Sequence, residues 1–347
     1  MQKLKIYFVV AAVLLSMNNC IINEVSGHAN IVIDQAEIDF ENVASLVVNG
    51  SFCNVNIDSH SSDNLLFKGE IKSSKQRDDI KIKYKQNGAK LVVWIERPKT
   101  LRGSFKGVLD FKVPTNTNID VDNSSGSMYV ANIGQSTIEL KASSGSIRVE
   151  NVDSHLEAKT SSGSLKINNI RGDLTCISSS GSQSIVEVAG DVISKLSSGS
   201  ISMEDIKGNV VSESSSGSQS IQLVKGNIKA TASSGSIHLN DIHGHVKAKA
   251  SSGSIKLNNI TGALDLYTSS GGQYGEEIML TGNSSFKSSS GGIKIGVLNS
   301  ADELSFDLTA SSGGLQAKGI NGRKELKINK GAILITGASS SGGQKYY

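Results

Sequence analysis

The sequence predicts an all-β chain that folds as a parallel β-helix, a solenoid in which short strands stack in successive coils. From Gly163 to Gly271 a glycine occurs at every ninth residue, and the residues between follow Gly-x-φ-x-φ-x-x-φ-x, where φ is mostly Ile, Leu, Val or Ala. Alternate glycines lie within Ser-Ser-Gly, so the full coil is 18 residues, or two nonapeptides. A unit this short cannot bury its own apolar face and must stack on its neighbours.

The composition agrees with a thin aliphatic core. The 347 residues include only 8 Phe, 7 Tyr and 1 Trp. The formal net charge of +3 is too balanced for a nucleic-acid partner, which needs a concentrated basic footprint. Cys20, Cys53 and Cys176 have no metal-ligand spacing. Cys53 and Cys176 share the parity of apolar neighbours, which predicts buried free thiols.

Residues 1–29 are predicted to be an export signal. A short basic stretch, Met1–Lys5, precedes the apolar run Ile6–Met17, which is too short to span a bilayer. Two exits from this signal remain open. Cys20 lies where a lipoprotein cysteine is expected, although the residues before it make a poor lipobox, and cleavage after Ala29 is the alternative. Either route predicts a protein of the periplasm, outer membrane or cell surface.

Residues 30–105 do not repeat and are predicted to form an N-terminal all-β cap. Alternation within Ser45–Asp58 predicts two strands joined by a turn at Asn49-Gly50, and Gln86-Asn87-Gly88 predicts a hairpin. Trp94 and Phe105 are expected to close the end of the core. A solenoid needs such a cap because an open first coil exposes unpaired strand edges.

Residues 106–347 are predicted to form the β-helix. Its coils are marked by Ser-Ser-Gly glycines at positions 126, 145, 163, 181, 199, 217, 235, 253, 271, 291, 313 and 342. From about residue 272 the intervals lengthen, which predicts degenerate C-terminal coils with insertions at Gln273–Glu277 and Asn299–Glu303. Gln183 and Gln219 occupy the third slot, which is normally apolar, and predict a local change of register.

Each half-repeat is predicted to be a short strand followed by a corner. Slots three, five and eight point inward, and slots two, four and six face water. Slot seven is often Asn or Asp, which tolerate turn conformations. The following glycine is expected to have positive φ, and the stacked Ser-Ser hydroxyls are expected to bond in ladders. The predicted structural corner glycines are Gly163, Gly172, Gly181, Gly190, Gly199, Gly208, Gly217, Gly226, Gly235, Gly244, Gly253 and Gly262.

These corners, together with the Val113-Pro114 lead-in to Asn123-Ser124-Ser125-Gly126, resemble the DUF4097 family. Its members are exported bacterial β-strand-repeat proteins, often described as candidate adhesins and related to GIN-type adhesin-head domains. The resemblance covers residues 40–347 and is most specific in Ser143–Gly271. It implies a parallel β-helix, expected to be right-handed as parallel β connections generally are. It supplies no catalytic residues.

Lysines form the one patterned surface in the sequence. Lys141, Lys159, Lys195, Lys229, Lys247 and Lys249 recur in slots four and six of the second half-repeat and are predicted to share one face. Such a face can attract an anionic ligand, but interspersed carboxylates make plain solubility an equally simple explanation. The histidines and carboxylates form no cluster with catalytic or metal-ligand spacing, so no catalytic residue, metal or cofactor is expected.

The sequence therefore predicts a non-enzymatic, exported cell-envelope protein whose rod offers an adhesin-like or recognition surface. The alternative is a periplasmic or membrane-tethered scaffold, structural or linked to envelope stress, that self-associates. The expected partner is an envelope or host glycan, an anionic polymer or a protein surface. Membrane contact is expected only through an N-terminal lipid.

Overall fold

The computed structural model describes residues 29–347, and this part of the chain consists of β-strands and connecting turns. The strands form two long sheets, called sheet A and sheet B below, dominated by parallel pairs with a continuous apolar core between them. The predicted all-β solenoid is thus confirmed, while its handedness stays a prediction. Cys20 and residues 1–28 of the predicted export signal lie outside the described residues. No helix between residues 29 and 347 has the length and apolarity needed to cross a membrane.

The N-terminal section contains seven strands. They are β1 (Ile31–Phe40), β2 (Ser45–Ser51), β3 (Asn54–His60), β4 (Leu65–Ser73), β5 (Lys81–Asn87), β6 (Lys90–Glu96) and β7 (Phe105–Pro114). Strands β5 and β6 form the predicted antiparallel hairpin, with Gly88 at a φ of 59°. Strands β2 and β3 run parallel to the strands of the repeat region and continue its sheets.

The regular coils each give one strand to sheet B and the next to sheet A. In chain order these strands are β8 (Asn118–Asn123), β9 (Met128–Ile133), β10 (Ile138–Ala142), β11 (Ile147–Val152), β12 (Leu156–Thr160), β13 (Leu165–Ile170), β14 (Leu174–Ser180), β15 (Gln183–Val188), β16 (Val192–Ser198), β17 (Ile201–Ile206), β18 (Val210–Ser214), β19 (Gln219–Val224), β20 (Ile228–Ala232), β21 (Ile237–His243), β22 (Val246–Ala250), β23 (Ile255–Gly262), β24 (Leu264–Thr268) and β25 (Gln273–Leu280). Even-numbered strands belong to sheet B and odd-numbered strands to sheet A.

The last coils depart from this order. Their strands are β26 (Ser284–Ser288), β27 (Ile293–Val297), β28 (Leu304–Ala310), β29 (Leu315–Ala317), β30 (Ile320–Gly322), β31 (Glu325–Ile328), β32 (Ile333–Ser339) and β33 (Gln344–Tyr346). Strand β32 pairs with both β26 and β28, and β33 pairs with both β27 and β29. The final coil of the chain therefore lies between two earlier coils.

The first coil is inserted in the same way. Strand β2 lies between β6 and β8, and β3 lies between β7 and β9. Both terminal coils consequently have a neighbouring coil on each side, while later or earlier parts of the chain cover the ends of the rod. A repeat period cannot reveal this exchange of order, because it fixes the coil but not the sequence in which the coils stack.

The inward slots follow the predicted alternation. In β13, Leu165, Ile167 and Ile170 are buried in the core, whereas Lys166 and Asn168 are exposed. Successive coils pair in register, so that each inward residue stacks on its counterpart 18 residues away. Aliphatic columns of this kind remove a continuous strip of apolar surface from water, which is the main favourable contribution to the stability of a solenoid.

The predicted positive φ of the corner glycines is wrong at most positions. Among the twelve predicted corner glycines only Gly181 and Gly199 have it, and the conformation lies instead at slot seven, as at Asn169 with φ 56° and Asp205 with φ 53°. Asn and Asp visit this region at low cost. The glycine is required for a different reason. A Cβ at Gly208 would lie 2.3 Å from the carbonyl oxygen of Gly190, so the two backbones could not stack.

The predicted register change at Gln183 and Gln219 is also wrong. Gln183 pairs in register with Leu165 and Ile201, and both glutamines are buried in the core. The Gln183 amide donates hydrogen bonds to the Ser178 hydroxyl (3.1 Å) and the Lys195 carbonyl (2.9 Å). Because the amide is satisfied, the inward slot accepts a polar side chain without moving the strand.

The same arrangement occurs four times in the core, counting Gln183. Each buried glutamine donates to a serine or threonine hydroxyl five residues earlier and to a carbonyl of sheet B. The pairs are Gln183 with Ser178, Gln219 with Ser214, Gln273 with Thr268 and Gln344 with Ser339. In the sequence this arrangement is marked by a serine or threonine five positions before the glutamine, on the other side of the Ser-Ser-Gly corner.

Three further local predictions need correction. Asn49 and Gly50 lie within β2, and the connection to β3 is a corner between the two sheets, because β2 and β3 belong to different sheets. Trp94 faces outward on β6, and the stacked Phe67 and Phe111 fill this end of the core instead. Gln273–Glu277 is part of β25 in register with β23, so the extra residues of this coil come after Leu280.

The Ser-Ser corners stack mainly through their backbones. The amide of Ser162 donates to the carbonyl of Ser143, and the amide of Ser252 donates to that of Ser233, both within 2.9 Å. Equivalent bonds join most successive Ser-Ser corners along the rod. Predicted hydroxyl ladders are replaced by backbone ladders, because glycine in slot one lets neighbouring corners approach closely enough for amide–carbonyl bonds.

Candidate functional site

The six lysines predicted to share a face lie on the outward surface of sheet B. Parallel pairing places Lys141 beside Lys159 and Lys229 beside Lys247. Adjacent strands in a sheet are about 4.8 Å apart, so these side chains follow one another along the rod. Their role in binding an anion stays a prediction.

Most of these lysines have a carboxylate partner. Lys141 pairs with Glu139, Lys159 with Glu157, Lys195 with Glu213 at 3.4 Å, and Lys247 with Asp265 at 3.3 Å. The hydrogen bond from Lys141 lowers the pKa of Glu139 and raises that of Lys141 itself. Lys249 lies over the Tyr267 ring, with its Nζ 5.3 Å from the ring centroid. Four of the six lysines are therefore locally neutralised by a carboxylate, which weakens the attraction of this face for an anionic ligand.

One corner of the rod carries a ladder of polar side chains that the sequence did not suggest. The Asp173 side chain accepts a hydrogen bond from the amide of Asp191 (2.9 Å), and Asn227 accepts one from the amide of His245 (2.8 Å). His155 belongs to this ladder, since its Nδ1 accepts the amide hydrogen of Asp173 at 3.0 Å. The bond requires Nδ1 to be unprotonated, so His155 acts here as a structural acceptor.

The remaining histidines and carboxylates are dispersed. Residues 29–347 contain no group of three or more His, Cys, Asp or Glu side chains that could hold a metal ion. An open groove of about 410 Å³ runs along the slot-seven corner, lined by Glu187 and Asp205 on adjacent coils and by Arg171 and Lys207. Its charges are mixed, since two carboxylates and two cationic side chains line it.

The two described cysteines are free thiols buried in the core. Burial raises the pKa of Cys53 to about 12 and raises that of Cys176 further. A thiol with so high a pKa carries almost no thiolate near neutral pH and is a poor nucleophile. Both are therefore small packing residues, as the sequence predicts.

Sheet A carries a second cationic surface that the sequence analysis missed as a unit. Lys256, Tyr274, Lys294 and Lys345 occupy register-matched positions on the successive strands β23, β25, β27 and β33. We call these four residues the lysine–tyrosine row. The row could not be assembled from the repeat period, because β33 reaches its place only through the inserted final coil.

The chain shows only remote likeness to solved structures. One is a provisionally assigned cell adhesion protein from Clostridium sporogenes, with 10% identity, a TM-score of 0.20, and alignment over 90% of this chain and 97% of that one. Another is a provisionally assigned adhesin from Bacteroides fragilis, with 10% identity, a TM-score of 0.23 and the same coverage. Both scores are too low to support a comparison of folds or sites.

Among curated proteins none matches the sequence. The Toastrack DUF4097 family model, in contrast, matches it twice, over residues 24–192 and 186–343. These matches cover the described chain up to residue 343, including the inserted first coil, the regular repeats and strand β32 of the final coil. The chain belongs to the Toastrack DUF4097 family.

Proposed function

We propose that this protein is a non-enzymatic, exported cell-envelope protein that presents the outward faces of its β-solenoid as an adhesin-like recognition surface. The observation that carries the proposal is the form of those faces. Each is a nearly continuous series of parallel strands whose outward side chains repeat at the strand spacing of about 4.8 Å.

A surface of this form suits an extended, multivalent contact. Each outward side chain makes a weak contact, but contacts on neighbouring coils are held at fixed spacing, so a repetitive ligand engages them together at high effective concentration. The packed core leaves the rod rigid, which limits the entropy lost when the contact forms. A flat array of this kind offers little enclosure for a small substrate, which catalysis usually requires.

Protease accessibility on intact cells tests where the rod is displayed. The wild type and Cys20→Ala are expressed in parallel, and digestion is followed before and after the envelope is opened. Digestion of the wild type on intact cells, with Cys20→Ala recovered in the medium, is the result expected for a lipid-anchored surface adhesin. Wild-type protein that resists protease until lysis would refute surface display and support the internal scaffold instead.

A further inference from the structure

The lysine–tyrosine row forms a continuous strip along sheet A near the C-terminal end of the rod. Lys256 is in register with Tyr274, Tyr274 with Lys294, and Lys294 with Lys345. All four side chains are exposed. Neighbouring members are one strand apart, about 4.8 Å, so the row spans about 14 Å along the rod axis.

The Tyr274 ring lies against the sheet and leaves much of its surface to solvent. A Cβ at Gly272 would lie 2.6–2.8 Å from the Tyr274 ring and hydroxyl, so the ring occupies the space that a side chain at residue 272 would fill. Tyr274 is nevertheless 46% exposed. Earlier coils have serine at the position of Gly272, within Ser-Ser-Gly-Ser, and this serine would displace a ring lying in the same way.

The lysines of the row have no carboxylate partner among residues 29–347. Lys294 and Lys345 instead approach the ring of Tyr347, with Nζ atoms 5.4 Å and 5.7 Å from its centroid. The adjacent carboxylate, Glu276, accepts a hydrogen bond from the Tyr347 hydroxyl. Cation–π contacts leave the ammonium charges uncompensated. The row is therefore a net cationic surface, in contrast to the ion-paired lysines of sheet B.

We propose that the lysine–tyrosine row binds a linear polysaccharide that carries carboxylates, a polyuronate, running along the rod axis. Charge complementarity requires an anionic polymer, because three unpaired ammonium groups lie along one line. One pyranose residue extends an elongated polysaccharide by about the distance between adjacent strands, so successive sugars meet successive coils. The exposed Tyr274 ring offers an apolar surface to a pyranose ring, which a phosphate polymer or lipid headgroup does not use.

This assignment rests on the proposed recognition function and adds its ligand class. The assignment predicts different effects on binding for the three lysines and for Tyr274. The lysines supply electrostatic attraction that salt screens, whereas Tyr274 supplies contact area whose contribution depends little on salt. Loss of the lysines should therefore reduce both affinity and its salt dependence, and loss of the ring should reduce affinity alone.

The test measures binding of the purified exported chain to polygalacturonate by calorimetry, at several salt concentrations. Four proteins are compared, namely wild type, the triple variant Lys256→Gln, Lys294→Gln and Lys345→Gln, the single variant Tyr274→Ser, and a sheet B control. The control carries Lys195→Gln, Lys229→Gln and Lys247→Gln, which removes the same net charge from the other face. Thermal melting confirms that each variant is folded.

We expect the row triple variant to bind at least tenfold more weakly with a shallower salt dependence, and the sheet B control to bind within twofold of wild type. Tyr274→Ser should bind severalfold more weakly with an unchanged salt dependence. Equal losses in both triple variants, wild-type affinity in the row triple, or binding to anionic phospholipid vesicles without binding to polygalacturonate would each overturn the assignment. Purified protein reports on the ligand only, so display on the cell surface would stand or fall separately by protease accessibility.

Discussion

The buried side-chain oxygen of Gln219 has no hydrogen-bond donor among the described residues, and a substitution that supplies a donor is expected to stabilise the fold. Gln183 and Gln219 donate through Nε2 in the same way, but their Oε1 atoms differ. The Gln183 Oε1 accepts a hydrogen bond from Ser194 at 2.6 Å. The Gln219 Oε1 is buried without a partner among the described residues. Ala230 stands eleven residues after Gln219, as Ser194 does after Gln183, so Ala230→Ser places a hydroxyl where the missing donor belongs.

The expected magnitude follows from the cost of an unsatisfied acceptor. A buried polar group without a partner costs about 1–3 kcal/mol, and a hydrogen bond formed in folding contributes a net ~1 kcal/mol. Ala230→Ser adds one oxygen atom at a site that is 1% exposed. We expect it to raise the free energy of unfolding by about 1 kcal/mol.

Ala248→Ser is the matched control. Ala248 is in register with Ala230 and equally buried, but the residue eleven positions before it is Ile237, which offers no acceptor. The new hydroxyl would be buried unpaired, as the Ser212 hydroxyl already is among the described residues. We expect Ala248→Ser to lower the free energy of unfolding by about 1–3 kcal/mol.

Denaturant unfolding followed by far-ultraviolet circular dichroism measures both changes. Stacked repeats can lose all-or-none behaviour, so the comparison requires that the slope with denaturant stays constant among the variants. Midpoints that move in opposite directions support the hydrogen bond to Gln219. Equal shifts for Ala230→Ser and Ala248→Ser would refute it, because the hydroxyl would then be responding only to burial.

Three other perturbations test the corners and the core. Gly208→Val should strongly lower the melting temperature because its Cβ would meet the Gly190 carbonyl. Gly292→Ala should change the melting temperature little, because its Cβ would have an ordinary 3.6 Å contact. Similar losses in the two variants would contradict the close-stacking explanation. His155→Ala should lower the free energy of unfolding by about 1 kcal/mol, because it removes the acceptor of the Asp173 amide hydrogen. His155→Asn should recover most of this loss. Equal stability of the two variants in denaturant would show that the ladder bond contributes nothing. Because burial raises the pKa of Cys53 to about 12, the folded state keeps this proton at a pH where the unfolded chain loses it. The free energy of unfolding should therefore be unaffected below pH 9 and fall above it by up to about 1.4 kcal/mol per pH unit. If Cys53→Ala shows the same fall in the free energy of unfolding with alkaline pH as the wild type, this explanation is contradicted.

The sequence predicts the interior of the rod well because period and parity determine it. Once slots three, five and eight point inward, Leu165, Ile167 and Ile170 must stack on their counterparts in the next coil. The same rule places Gln183 inside. The prediction of a register change at Gln183 relied on residue type and not on position. A one-residue slip in a parallel stack would turn every side chain of the strand to the other face, so position prevails.

Conformation at the corners could not be derived from residue preference alone. Glycine is the usual residue for positive φ, yet Glu187 and Leu223 adopt it here at slot seven, where most coils have Asn or Asp. The solenoid imposes the same backbone on every coil, so a residue that disfavours the conformation accepts strain once its neighbours define the path. Glycine is then left to satisfy the contact between coils.

The sheet B lysines and the lysine–tyrosine row also differ in how far the sequence predicts them. The sequence places the sheet B lysines on one face, since they lie at equal slots in successive coils. Whether a lysine is free depends on rotamers and cross-strand partners, such as Glu213 beside Lys195. The lysine–tyrosine row was missed because Lys345 joins Lys294 only through the inserted final coil. A sequence separation of 51 residues hides a neighbour one strand away.

The edge strands at the ends of the rod have features that oppose end-to-end pairing with a second copy. Edge strands invite pairing with other chains unless they are short, charged or covered. At one end, the sheet B edge strand β5 carries Lys81, Lys83 and Lys85. At the other, the edges are β30 and β31, of three and four residues. Insertion of the final coil leaves β33 paired on both sides. Strand β1 pairs only with β4 and keeps one free edge, but it carries the carboxylates Asp34, Glu37 and Asp39. Association through the ends would have to overcome these features, whereas the long outward faces are open to a partner without any rearrangement.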